Sequence, residues 1–177
     1  MDNINNNIIF TRRSIRSFIK EKKVENEKID ILLRAAMQAP SASNKQPWEF
    51  IVVDDETILE KLSHISRHFL LPAKAPLVII ALGNRDKCYK GEYGNTLWFP
   101  LDLSASIQNI LLQSVEIGLG AVWIGAYPDE HKVEGIQKIF NLPHNLTPFA
   151  MVAVGYSEES YKFVDRYDES KVHYNKY

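Results

Sequence analysis

The segment from Leu101 to Ile117 constrains this chain more than any other. It follows Pro100 and stops before Gly118 and Gly120, a start and stop suited to one helix. Its apolar residues, Leu101, Leu103, Ala105, Ile107, Ile110, Leu111, Leu112, Val115 and Ile117, cover more than a single stripe. A helix apolar over that much of its circumference must be buried on several sides. In a chain of 177 residues, a subunit interface is one economical way to achieve this. Glu116 then needs a partner or an exposed place at the far end.

The remaining pattern supplies elements to pack against that helix. Val24 to Ala39 carries Ile29, Leu32, Leu33, Ala36 and Met37 at three- and four-residue steps, a helical period ended by Pro40. Thr57 to Ile65 and Asp129 to Phe140 read as further helices, and Thr11 is a plausible N-cap for a short helix running to Phe18. Trp48 to Val53, Leu77 to Leu82, Ala121 to Ala126 and Phe149 to Val154 read as strands, Leu77 to Leu82 being apolar enough for burial on both faces. Ser41 to Gln46 and Gly83 to Asn95 read as loops, the second long enough to suspect a cover over a site. Interleaved helices and strands without a linker predict one α+β or α/β domain over residues 1–177.

Several function classes are disfavoured at this level. Twenty-one basic and 22 acidic side chains give a net charge of −1, unlike a dedicated nucleic-acid or membrane-surface binder. The one cysteine, Cys88, permits neither an internal disulfide nor a thiolate metal site. His64 and His68 lie four apart but lack the glutamate of an HExxH motif, and His131, His144 and His173 are isolated, so no metal site is expected. The N-terminus lacks a signal-peptide pattern, and no apolar run reaches the roughly 20 residues of a membrane span, so a cytoplasmic protein is expected.

The conspicuous chemical cluster is Arg12-Arg13-Ser14-Ile15-Arg16. On a helical turn Arg12 and Arg16 would share a face, where two like charges repel unless an anion sits between them. Arginine's planar fork suits a phosphate, and Ser14 adds a hydroxyl. A solvated basic face continued by Lys20, Lys22 and Lys23 is the competing reading. No G-x-G-x-x-G or Walker A loop is present, so a phosphate site here rests chiefly on side chains.

Three further stretches join this cluster in a familiar order. Arg12 to Phe18 resembles the N-terminal FMN-phosphate motif of the nitroreductase family. Ala39-Pro40-Ser41-Ala42-Ser43-Asn44-Lys45-Gln46-Pro47-Trp48-Glu49-Phe50 resembles its second motif, and Gly118-Leu119-Gly120 running into Ala121 to Gly125 its third. The tail Arg166-Tyr167-Asp168 with Val172-His173-Tyr174 resembles the C-terminal arm of compact members. The resemblance implies an α+β fold with a mostly antiparallel central sheet flanked by helices. It also implies a homodimer with FMN at the subunit interface, the long apolar helix in the dimer core, and the arm from about 163 to 177 on the partner. It assigns Arg12, Arg13, Ser14 and Arg16 to the phosphate and ribityl chain, and Arg166 to the phosphate. Pro40, Ser41, Ala42, Ser43 and Asn44, with Gln46 nearby, reach the flavin from the other subunit, while Ile124 and Gly125 lie against the ring near N5. A mid-chain flavin contact near Arg67 or His68 is left unassigned.

The activity so implied is hydride transfer from NAD(P)H through flavin N5 to a nitroaromatic, quinone or flavin acceptor by a ping-pong scheme, with no side chain acting as the catalyst. Reductive dehalogenation, flavin fragmentation and flavin or anion binding without turnover are the alternatives. Trp98 and Phe99 read either as core or as ring-stacking groups, and Tyr89 and Tyr93 as either pocket-mouth or solvated loop residues.

Overall fold

The structure, a computed structural model, describes residues 7–94, 97–159 and 164–177. Four strands form its sheet: β1 (Trp48–Val53), β2 (Leu77–Asn84), β3 (Gly120–Gly125) and β4 (Leu146–Gly155). Their order is β1-β2-β4-β3 and every neighbouring pair is antiparallel. The helices are α1 (Ile8–Thr11), α2 (Asn26–Met37), α3 (Glu56–Ser63), α4 (Phe99–Glu116) and α5 (Glu130–Phe140). The fold is α+β, with the mostly antiparallel sheet and flanking helices that the family resemblance implies.

Strand side chains alternate between two cores, as the pleat requires. Leu77, Ile79 and Ala81 of β2, with Val152 and Val154 of β4, face Leu32 and Ala36 of α2 and Leu103, Ile107 and Ile110 of α4. Val78, Ile80 and Leu82, with Met151 and Ala153, face Leu59 and Leu62 of α3 and Ile136 of α5. Helices on both faces leave the central strands β2 and β4 buried along their whole length. That explains apolar runs without polar alternation in an antiparallel sheet. The alternation slips once, where a bulge shifts the β2–β4 register between Ala81 and Leu82. Phe149 and Ala150 consequently face the same core, and Phe149 meets Phe99 and Trp123 edge-on. Phe99 is therefore core, whereas Trp98 lies edge-on to Tyr89.

Two expectations are corrected here. Gly83 and Asn84 extend β2 rather than open a loop, because Asn84 N–H bonds to the Pro47 carbonyl and a Cβ on Gly83 would collide with the Phe99 ring. The first motif is not helical. Helix α1 ends at Thr11 and is capped by Asn7, whose side chain accepts from Ile9 N–H. The chain then runs extended along the outer edge of β3, with Ser14 bridging Ala121 in parallel and Ile15 N–H bonded to the Ala121 carbonyl at 3.0 Å. Pairing with a free strand edge outweighs a weak local helix preference. The close approach depends on Gly120, where an added Cβ would lie 2.6 Å from Ile15 Cγ2.

Gly120→Ala should therefore push Ile15 off the edge and lower unfolding stability by about 1–3 kcal/mol, the usual cost of overpacking. An unchanged denaturant midpoint would contradict this packing.

Candidate functional site

From Arg12 onward the segment is extended and has a period of two, which puts Arg12, Ser14 and Arg16 on one side by alternation and Arg13 and Ile15 on the other. The surroundings agree. Thr11, Arg13 and Ile15 line a cleft with Val115, Gly118, Leu119 and Gly120 at the end of α4. Arg16 lines a separate cavity of about 330 Å³ with His68, Phe69, Leu71, Val122, Trp123, Ile124, Gly125 and Lys132. Of the even residues Arg16 alone lines either cleft, so a shared side for Arg12, Ser14 and Arg16 rests on the alternation of an extended chain rather than on a helical turn.

Among the described residues the arginines of this edge have no ion-pair partner, although Glu159 lines the cleft with Arg13 and its Oε1 accepts Ser17 N–H. Arg12 is partly buried, and its guanidinium pKa is lowered by that burial and by repulsion from Arg13 and Arg166. Arg166 of the C-terminal arm thus lies close enough to Arg12 to be felt. Arg13 turns back to donate to the carbonyls of Phe10 and Arg12 at 2.8 and 2.7 Å, and Arg16 reaches the Ser14 carbonyl at 3.3 Å. Among the described residues, no ion pair joins any of these four arginines to a carboxylate. An anion set among these mutually repelling guanidiniums, one of them partly desolvated, would relieve their repulsion.

At the other end of the same edge, β3 offers backbone. Ladder contacts alternate, so the outward-facing Ala121 puts Trp123 and Gly125 outward too, while Ile124 and Val122 pair with β4. The Gly125 N–H thus points to the open edge beside the cavity. A Cβ added at Gly125 would meet nothing nearer than Trp123 Nε1 at 4.0 Å, so the space over this residue is free. His68 and Lys132 enter this cavity without any motif to announce them. Arg67 Nε donates to His68 Nε2 at 3.2 Å, which leaves Nδ1 to carry the His68 proton, and Lys132 pairs with Asp129 at 3.0 Å.

The loop from Pro40 to Gln46 does not join this group within one chain. It precedes β1, and β1 and β3 are opposite edges of the sheet, three strand spacings or roughly 14 Å apart. The loop is strained: Ser43, Asn44 and Gln46 have φ of 51°, 52° and 47°, a region few residues other than glycine adopt. Ser41 Oγ accepts Gln46 N–H, and Asn44 Oδ1 accepts from Gln46 Nε2, both at 2.9 Å. Ala42 N–H donates to Asp102 Oδ1 of α4 at 2.8 Å. Asp102 is buried, which pushes its carboxyl above the ordinary carboxylate range despite the opposing amide. No helix among the described residues is long and apolar enough to cross a membrane, and no His, Cys, Asp and Glu group among them could hold a metal.

The family model "Nitroreductase family" matches residues 9–87 and 67–156, which together cover most of the chain. This chain belongs to the nitroreductase family. A curated relative from Methanothermobacter thermautotrophicus, provisionally named NADH dehydrogenase/NAD(P)H nitroreductase, is 38% identical over 169 residues, covering 96% of this chain and 85% of its own. A solved structure provisionally named NADH oxidase, from Clostridium acetobutylicum, superimposes with a TM-score of 0.89 at 46% identity over 97% of this chain and 100% of that one. The FMN-dependent nitroreductase of Clostridium difficile does so at 0.85 and 31% identity, over 96% of this chain and 98% of that one. Nitroreductase-family membership and the names of these relatives make this chain an oxidoreductase by family.

If the arginine edge receives an anion, inorganic phosphate should raise the melting temperature of the wild-type protein more than chloride at equal ionic strength. Arg12→Ala should lose that increment without being less stable in phosphate-free buffer, since it removes a repelling charge. An equal phosphate response in both proteins would contradict the assignment.

Proposed function

We propose that this nitroreductase-family chain is an FMN-dependent, NAD(P)H-driven oxidoreductase acting as a homodimer. The observation that carries the reading is the single edge of β3. It offers Arg12, Ser14, Arg16 and Arg166 toward one end and an outward N–H on Gly125 over open space at the other. The residues fit FMN: guanidiniums without an ion-pair partner among the described residues for a phosphate, an apolar wall of Val122 and Ile124, and a backbone donor with no side chain in the way. When bound, FMN would supply hydride chemistry at N5, with NAD(P)H as the donor and a nitroaromatic, quinone or flavin as the acceptor of a ping-pong scheme.

The chain's own work is then holding and excluding. Arg12, Arg16 and Arg166 neutralise the phosphate and fix the register of the cofactor along the edge, with Ser14 as a further donor. Arg13, committed to backbone carbonyls, braces the segment and adds its field. Gly125 N–H would be a backbone donor for the flavin ring, and Ile124 would keep water from the face it covers. His68, through its Nδ1–H, and Lys132 line the same cavity and offer donors to the polar end of the ring.

The far-edge loop supports the dimer. Pro40, Ser41, Ala42, Ser43, Asn44 and Gln46 cannot meet their own chain's arginine edge, so in this reading they complete the site of a second copy. Helix α4 carries the matching surface. Leu101, Ala105, Gln108, Leu112 and Val115 form a stripe at helical spacing, and none of these five is fully buried in one chain. Residues 164–177 are exposed throughout, including Tyr167, Tyr174 and Tyr177, as expected of an arm that packs on a partner.

Titration with FMN tests the reading. Wild-type protein should bind it, turn yellow, and be bleached by NADH or NADPH without oxygen. Arg16→Ala should bind FMN about 1–3 kcal/mol more weakly, the worth of a charge-assisted contact. Colourless protein that takes up no added FMN would overturn the proposal.

A further inference from the structure

Asp102 has no part in the reading above, and its surroundings are unusual. Its carboxylate lies in the first turn of α4 and is only 5% exposed. One oxygen accepts Ala42 N–H; the other has no partner among the described residues, and neither has the buried Ser106 Oγ one turn further on. A half-satisfied buried carboxylate costs stability, and a leucine or asparagine would sit there more comfortably. What it holds is informative. The other hydrogen bonds of residues 41–46 described here stay within the loop: Asn44 N–H to Ser41, Lys45 N–H to Ala42, Gln46 N–H to Ser41 and Gln46 Nε2 to Asn44. A loop with three left-handed non-glycine residues persists only when something outside it fixes it.

We infer that Asp102 is a positioning residue: its buried carboxylate, bound to Ala42 N–H, fixes the strained Ser41–Gln46 loop in the shape in which it closes the flavin site of a second copy. The inference rests on the dimeric flavin reading above. Asp102 reaches no site atom itself and acts through Ala42. Because it projects from α4, whose outer stripe forms the proposed interface, the anchor ties the loop to the helix that sets the distance between subunits.

Three variants separate this role from ordinary stability. Asp102→Ala removes the acceptor. Ala42→Pro removes the donor from the other side, and the loop tolerates it: Ala42 opens a 3-10 turn, where proline is accepted, and Ser41, at φ −140° and ψ 152°, has the extended shape that must precede one. Asp102→Asn keeps an acceptor for Ala42 and offers an N–H₂ to Ser106 Oγ. The measurements are FMN affinity by fluorescence titration and the rate of tryptic cleavage after Lys45, an exposed site within the loop, in flavin-free protein. Asp102→Ala and Ala42→Pro should each bind FMN roughly tenfold or more weakly and be cut faster after Lys45. Asp102→Asn should stay within about threefold of wild type on both measures. Wild-type affinity and cleavage in Asp102→Ala or Ala42→Pro would overturn the role, and so would an Asn variant as impaired as the Ala variant. Wild-type protein that takes up no FMN would overturn the flavin reading and this role with it, whereas unchanged variants of an FMN-binding protein overturn this role alone.

Discussion

The backbone pairing of Ile15 with Ala121 is the contact on which the proposed site depends. It exists because Gly120 leaves room for Ile15 where any Cβ would stand 2.6 Å from it, and because the outer edge of β3 is otherwise open. This one register lays the arginine segment parallel to β3. Arginines and the outward Gly125 N–H thereby fall along one line, although more than a hundred residues separate them in sequence. The same pairing covers part of an edge that would otherwise invite another strand.

The sheet order then determines what one chain cannot do. With β1 and β3 as opposite edges, the strained loop before β1 and the arginine edge beside β3 are held apart by two fully buried strands. The rigidity of that core is what makes the separation meaningful, since strands packed on both faces do not bend to bring the loop round. In the proposed dimer each chain contributes one edge to either site. The outer stripe of α4 sets how the edges meet, and Asp102 carries the loop's position to that helix.

Much of this was legible in the sequence, for identifiable reasons. The strands declared themselves because β2 and β4 are apolar on both faces, and the long helix because Leu103, Ile107 and Ile110 recur at its period. Phe149 broke the expected alternation only through a bulge, which no residue pattern signals. The helical turn expected of the arginine segment gives way to an extended strand edge, because a four-residue step is compatible with a period of two as well as of 3.6, and the edge that decides between them lies a hundred residues away. His68 and Lys132 were unassigned as site residues for a related reason: each is an ordinary polar residue whose place in the cavity arises only from how α5 and the segment after α3 pack. Asp102 could have been noticed as a charge in the wall of an apolar helix, but its partner Ala42 is not predictable from spacing.

The central claim is that each flavin site takes its arginine edge from one chain and its loop from another. Subunit mixing tests it most directly. Arg16→Ala protein and a loop variant, Asn44→Ala with Gln46→Ala, would each bind FMN weakly alone, and would be mixed, dissociated and reassociated. In mixed dimers, one of the two sites would pair an intact arginine edge with an intact loop. The account predicts that such dimers regain wild-type FMN affinity at half their sites. If both parts belonged to one chain, no mixture would restore any tight site, and that result would contradict the account.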